Sequence, residues 1–402
     1  MQRLAYLALG LGFIFLSILF FKRLPQSKTM QTLSAVLMIL FLAAGVVLLT
    51  TYFMHDRSGY MLRKDMIALN DQYAEEPVVA VNSYDLVFEQ HDHHFVVNAN
   101  LSVRNETNST IDNIIFSLNP ALDVTDIQLD GQSVQSSREI HLLLLDASLE
   151  PNVDAELAFK YSGTIDDRAL YLATPKEERE ALHELMLYKR GKVHSFIEPN
   201  YVLLTPEANW YPIPGVSRGS ELTTPRQKSF ARYTLKVKAR DGLAAISQGQ
   251  ASQDGTIFKF VPETPLTQMS LTIGPYEQRS ITVDSVDYHL FTYKEHDFFL
   301  EPVSQLSDTL EPMIRDLKNE YELKTNINYP FSSFSLVEVP IHFQTFAKPL
   351  TFHQDWVQPM VVFLPENGAP IDAVDFSRHI DRMTDRMRSE ERRVGKECAT
   401  GC

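Results

Sequence analysis

Two uninterrupted apolar runs open the chain, Leu4–Phe21 and Met30–Phe53. Each is long enough to cross the hydrocarbon core of a bilayer as a helix. Arg3 ahead of the first run also fits a signal peptide. No small-residue cleavage site precedes Lys22-Arg23, however, and a second apolar run follows at once. A buried helical hairpin of a soluble core is the remaining alternative. The expectation is a transmembrane hairpin over residues 1–54, with the lipid bilayer as its partner. The connection carries Lys22, Arg23 and Lys28, against Arg3 alone at the amino end. The positive-inside rule therefore places the connection in the cytoplasm of an inner or plasma membrane. Everything after Phe53 is expected to be extracytoplasmic, although Arg57, Arg63 and Lys64 beyond the second span narrow the margin. Residues 55–77 are polar with loosely helical apolar spacing and read as a stalk.

The 402 residues leave room for two or three domains. A net charge of −14 argues against nucleic acid as a partner, because such proteins present a basic face. Both cysteines, Cys398 and Cys402, lie at the extreme end, so no disulfide framework or cysteine metal site is expected in the body.

From Val78 the apolar period becomes two. Phe95, Val97, Ala99, Leu101 and Val103 alternate with mostly polar residues, the pattern of a half-buried strand. Tyr84–Phe88 is expected to pair with it across His91-Asp92-His93-His94. Further strands are expected at Ile111–Leu118, Val124–Leu129, Ile140–Leu145 and Leu157–Tyr161, with Asp130-Gly131 as a turn. Later ones follow at Tyr233–Val237, Ile257–Val261 and Met269–Gly274, with Gly242–Gly249 read as a turn. Short strands at this spacing predict an antiparallel β-sandwich or saddle over residues 78–275.

Several features inside that region tempt a chemical reading. Three histidines at the hairpin tip cannot all face one ion without strain, so a solvated turn is expected there. Asn105-Glu-Thr and Asn108-Ser-Thr match the glycosylation sequon but sit in a polar turn. Thr174 (N-cap), Pro175 and Glu177 open a helix that Gly191 ends. Its His183-Glu184 lacks a second histidine, since position 187 is leucine.

Residues 276–387 read as a new domain. Tyr288–Tyr293 alternates as a strand. Leu306, Leu310, Met313, Leu317 and Tyr321 then fall at helical spacing, one face expected to pack inward. Next comes Tyr329-Pro-Phe-Ser-Ser-Phe-Ser-Leu-Val-Glu-Val-Pro340, a turn feeding a short apolar strand, Phe334–Val339, that one acid, Glu338, interrupts. Trp356–Pro365 reads as a further strand, with Glu366-Asn367-Gly368 turning out of it. Glu366 either faces a cleft or begins that turn. Asp375–Met387 reads as the start of a charged helix.

The order of sheet domain, helix, Tyr-Pro turn and edge strand resembles the aminopeptidase N family of zinc metallopeptidases. The block Tyr201–Val216, with Trp210-Tyr211-Pro212, strengthens the resemblance, which covers residues 84 to about 368. It implies an α+β fold: the hairpin, the β-sandwich and the beginning of a thermolysin-like α/β domain. It further implies zinc in the full-length protein, a peptide substrate, and a cleft beside Phe334–Val339. Glu207, just ahead of the aromatic-Pro pair, would then approach the substrate's amino end, or else it simply shapes a turn ahead of a buried Trp210. In the family a G-A-M-E-N segment follows the strand, and its glutamate binds the peptide's amino group. At the family's spacing Lys348 stands in that place, where a cation would repel an ammonium group. A gapped match would bring His342 or Gln344 to the cleft instead. No H-E-x-x-H occurs in the chain, so as written it is expected not to hydrolyse peptides.

Residues 388–402 include Arg388-Ser-Glu-Glu-Arg-Arg-Val-Gly-Lys-Glu-Cys398, which reads as the translation of a widely used sequencing adapter. The native chain is accordingly expected to continue differently beyond Met387. A two-span hairpin leading into such an ectodomain also resembles bacterial fusions of an ABC transporter permease to an aminopeptidase N-like domain. That resemblance implies an ABC ATPase subunit as a partner. The alternative to a peptidase is then a non-catalytic ectodomain that binds or gates substrate. A plainer third reading is a membrane-anchored sandwich with an interaction role.

Overall fold

The computed structural model describes residues 2–21, 27–172, 174–179, 192–216, 230–296, 310–346 and 355–366. The chain forms two compact units, residues 1–69 and 70–402.

In the first unit, helices α1 (Gln2–Phe20) and α2 (Lys28–Gln72) are both long and apolar enough to cross a membrane, as a pair of spans or a leader would be. Glycine makes their close approach possible. A Cβ on Gly12 would lie 2.7 Å from Leu42, and one on Gly45 would lie 2.6 Å from Leu9. Phe15 and Phe41 stack beside this crossing at 5.9 Å. Large apolar side chains such as Leu7, Phe13, Ile39 and Val47 point outward. Most of both apolar stretches is exposed. Residues 55–72, most of the stretch 55–77 read from sequence as a stalk, continue α2. No proline interrupts them, so the backbone ladder runs on into polar sequence.

The second unit begins with the β-sandwich. Its wide sheet contains β1 (Ala80–Gln90), β2 (Phe95–Arg104), β4 (Leu122–Leu129), β5 (Gln132–Ser133) and β8 (Asp154–Gly163). β12 (Arg232–Lys238), β14 (Gln250–Asp254) and β15 (Ile257–Val261) complete it. Its order is β14-β15-β12-β1-β2-β8-β4-β5. β1 and β12 run parallel; the other pairs are antiparallel. As the alternation requires, Phe95, Val97, Ala99, Leu101 and Val103 all face the core.

Two four-stranded sheets lie across that core. One comprises β3 (Ile114–Ser117), β6 (Ser136–Glu139), β7 (Leu142–Leu145) and β11 (Ile213–Pro214), in the order β11-β3-β7-β6. The other comprises β9 (Phe196–Glu198), β10 (Tyr201–Leu204), β13 (Ala244–Ile246) and β16 (Leu271–Gly274), in the order β13-β16-β10-β9. β13 lies inside the stretch read as a turn. Three small or apolar residues suffice to pair with β16, and three residues carry too little periodicity to be seen. Trp210 is fully buried at the centre, edge-on to Phe88 and Tyr211.

A five-stranded sheet follows, built from β17 (Tyr276–Val283), β18 (Val286–Tyr293), β19 (Ser333–Val339), β20 (Val357–Gln358) and β21 (Val361–Pro365). Its order is β17-β18-β19-β21-β20, with β18, β19 and β21 parallel. Three expectations are corrected here. β19 is an interior strand, not an edge, because both of its backbone ladders are taken. Trp356–Pro365 is a hairpin rather than one strand: Met360 adopts φ 63° and folds β20 back on β21. Helix α3 (Leu310–Thr325) buries no residue. It meets the sheet through charged positions, Arg315 pairing with Asp284 at 3.0 Å and Glu322 accepting the Tyr329 amide at 2.8 Å. Leu317 and Tyr321, expected inward, are 49% and 69% exposed.

Candidate functional site

Parallel strands deliver their carboxyl ends to one rim, where ligands of open α/β sheets commonly bind. Here β18, β19 and β21 end beside one another, and four chemistry-bearing residues gather there. His296 lies three residues past β18, Glu338 near the end of β19, His342 just beyond it, and Glu366 directly after β21.

Glu338 is buried, at 6% exposure. A carboxylate so placed needs donors, and the neighbouring strand supplies them. The Tyr293 amide donates to Oε2 at 2.7 Å, and Nδ1 of His296 lies 3.0 Å from Oε1. The hydroxyl of Tyr276 donates to the Glu338 backbone oxygen at 2.8 Å. Beneath this pair Tyr276 and Tyr293 stack at 5.3 Å, and Tyr201 meets Tyr293 edge-on at 5.8 Å. Burial raises the phenol pKa values of Tyr201 and Tyr276 well above the usual range, so both remain neutral donors.

His342 and Glu366 also stand at this rim, near enough for the Glu366 charge to act on the imidazole. Glu366 is fixed by its own amide, which donates to the Val339 oxygen at 2.7 Å. Desolvation lowers the His342 pKa, while the Glu366 charge pulls it back up. The imidazole packs edge-on against Phe196 at 5.1 Å.

Gln344 is reached from the sandwich. Its backbone amide donates to the Val193 oxygen at 2.8 Å, and its backbone oxygen lies 2.7 Å from Nδ1 of His194. His194, Tyr171 and Phe346 form an aromatic cluster there. The hydroxyl of Tyr171 donates to Asp355 at 2.9 Å, both groups being buried. Glu207 lies in a short turn, Pro206–Ala208, and accepts the Tyr171 amide at 2.8 Å. This contact ties the turn ahead of buried Trp210 to the Tyr171 backbone. Lys348 lies outside the described residues, as do His183 and Glu184.

Other sequence candidates resolve as structure. His91 and His94 stack at 4.7 Å in their turn, and His93 pairs with Glu198 at 3.1 Å. The Asn105 side chain is buried, donates to the oxygens of Ser109 and Leu149, and accepts the Thr107 amide. An open cleft of about 470 Å³ lined by Tyr73, Glu76, Asn113, Gln135 and Asp146 includes none of the rim residues.

Among the described residues, no group of three or more His, Cys, Asp and Glu side chains is placed to hold a metal ion. The described rim residues do not make a zinc site. The sequence reading named Glu338, His342 and Glu366 as candidates but not His296, which follows β18 with no motif to mark it.

No protein-family model matches the chain, and no curated protein matches it. Among solved structures it is similar to an M1 zinc metallopeptidase from Deinococcus radiodurans. The identity is 14%, with 72% of this chain and 61% of that one covered, at a TM-score of 0.44. A two-domain M1 zinc metallopeptidase bound to L-arginine matches at 14% identity, covering 73% and 62%, with a TM-score of 0.46. The chain thus spans about three fifths of the length of these structures. No residue's role here rests on that likeness.

Proposed function

We propose that this chain is the membrane anchor, β-sandwich and first part of the catalytic domain of a zinc metallopeptidase of the aminopeptidase N type, acting on peptides outside the cytoplasm. One observation carries the reading. A β-sandwich is followed by a sheet whose three parallel strands bring His296, Glu338, His342 and Glu366 to one rim. The two apolar helices provide the anchor in the bilayer, with the connecting loop in the cytoplasm.

Within this reading the described residues bind and orient. Glu338 holds the ends of β18 and β19 together and fixes the His296 ring. Glu366, half-buried beside His342, offers a carboxylate to the ammonium group of a peptide. When bound, zinc would supply a polarised water for amide hydrolysis. Its ligands would come from residues other than those described.

The helical hairpin favours a second reading, in which the two helices end an ABC permease that works with an ATPase subunit and carries a non-catalytic, peptide-binding ectodomain. Sequencing the source gene across the Met387 codon separates the two. An H-E-x-x-H followed by a further glutamate within about a domain's length supports the peptidase. An open frame without it overturns the peptidase in favour of the binding module.

A further inference from the structure

Two acceptor sequences for N-linked glycan lie back to back between β2 and β3, Asn105-Glu-Thr and Asn108-Ser-Thr. The fold treats the two asparagines differently. Asn105 is fully buried. Its Nδ2 donates to the backbone oxygens of Ser109 at 2.8 Å and Leu149 at 2.7 Å. Its Oδ1 accepts from the Thr107 amide at 2.9 Å and from the Thr107 hydroxyl at 2.7 Å. Both hydrogens of that nitrogen are committed, so it meets no other group unless the loop opens. Asn108 is exposed, and its carboxamide makes no hydrogen bond to the described residues. The loop that carries it is held at its ends. Asn105 lies under one end, and at the other Ile111 and Leu149 exchange two backbone hydrogen bonds, at 3.0 and 2.9 Å. Between them residues 106–110 form no backbone-to-backbone hydrogen bond with the described residues, so this stretch can bend into an enzyme's cleft without breaking a strand ladder. Thr110, whose hydroxyl the acceptor sequence requires, donates to the exposed Glu150 carboxylate at 2.8 Å, a surface contact that water or an enzyme group can replace.

We propose that Asn108, and not Asn105, is an acceptor for an N-linked glycan in the extracytoplasmic setting proposed above. The donor class is an oligosaccharide carried on a polyisoprenyl diphosphate, and an oligosaccharyltransferase makes the transfer. Nδ2 of Asn108 attacks the anomeric carbon of the first sugar. The new carbon–nitrogen bond replaces the bond from that carbon to the diphosphate oxygen, which departs with the electron pair as polyisoprenyl diphosphate. One proton of the amide passes to a base of the transferase. The glycan then projects from the loop into solvent, where a bulky polar group disturbs no core contact. The same step at Asn105 would break its bond to Ser109 or Leu149 and leave a buried oxygen without its donor, which disfavours it by at least about tenfold. The inference does not depend on the peptidase reading.

The test uses the full folded chain, purified in detergent micelles and incubated with a single-subunit oligosaccharyltransferase and a short lipid-linked oligosaccharide. The purified chain offers both sides of the membrane to the enzyme, so the result does not turn on membrane orientation. Trypsin then releases residues 105–138, which contain both asparagines. Electron-transfer fragmentation should place the glycan on Asn108, with Asn105 occupied at least about tenfold less. Asn108→Gln and Thr110→Ala should each remove the Asn108 glycan, and Asn108→Gln should leave the melting temperature unchanged. In a synthetic peptide of residues 98–115, where the fold is gone, Asn105 should become an acceptor as well. A folded chain that stays unmodified at Asn108, or that takes the glycan on Asn105 as readily, would overturn the proposal. A peptide that still takes it on Asn108 alone would overturn it too, because the selection would then come from sequence and not from the buried Asn105 amide.

Discussion

Glu338 and His296 stand 3.0 Å apart, carboxylate to Nδ1, across the carboxyl ends of two neighbouring parallel strands. The other oxygen of Glu338 takes the Tyr293 amide, so a buried acid on an interior strand caps the strand beside it. An acid in an apolar strand would ordinarily weaken it; here it closes the end of β18 and aims an imidazole.

Removing that carboxylate should therefore cost stability. Glu338→Ala leaves the Tyr293 amide without its acceptor, a loss of about 1–3 kcal/mol. Glu338→Gln keeps one acceptor oxygen and should cost less. Urea unfolding of the two variants beside the parent measures both. Equal midpoints for all three would contradict the capping role.

His141 should give the protein an acid-sensitive component. It is fully buried, with Nε2 2.7 Å from the Asn70 oxygen, and burial together with the Arg138 charge lowers its pKa to about 4. An unfolded histidine titrates near 6.5, so between pH 6.5 and 4 the unfolded state binds more protons. Stability is then fully present above pH 6.5 and falls as the pH drops toward 4, by up to about 3 kcal/mol. In His141→Gln this component should vanish, and the difference in melting temperature between pH 7 and 4.5 should shrink. An unchanged difference would contradict the assignment.

Gly163 should resist substitution. It adopts φ 148° at the end of β8, and a Cβ there would lie 2.3 Å from the Ala121 oxygen. Backbone cannot move aside as a flexible side chain can, so Gly163→Ala should cost on the order of 1–3 kcal/mol. Denaturant midpoints check this. A neutral substitution would show that β8 and the Ala121 turn can separate without penalty.

Much of the sandwich was legible because each long strand buries one face. Phe95 through Val103 alternate and pack as read. Among the strands that escaped notice, β13 and β14 are short or wholly exposed and have no face to alternate, while β17, eight residues long, buries only its two ends. The inward face assigned to α3 failed for a different reason. Periodicity shows that a seam exists, not which surface covers it, and Arg315 and Glu322 turned the helix by their own contacts. At the rim, Glu338 stood out as the lone acid in an apolar strand. His296 did not, since its partner lies more than forty residues away in sequence.

The claim that this chain belongs to a zinc peptidase is tested most directly by metal content. The protein encoded by the source gene, read through its own continuation past Met387, should be purified in detergent and its zinc measured per chain. The account predicts one zinc per chain, together with hydrolysis of a peptide bearing a free amino end that is lost on chelation and restored by zinc. A chain that carries no zinc, or that hydrolyses such a peptide equally well after chelation, would contradict it.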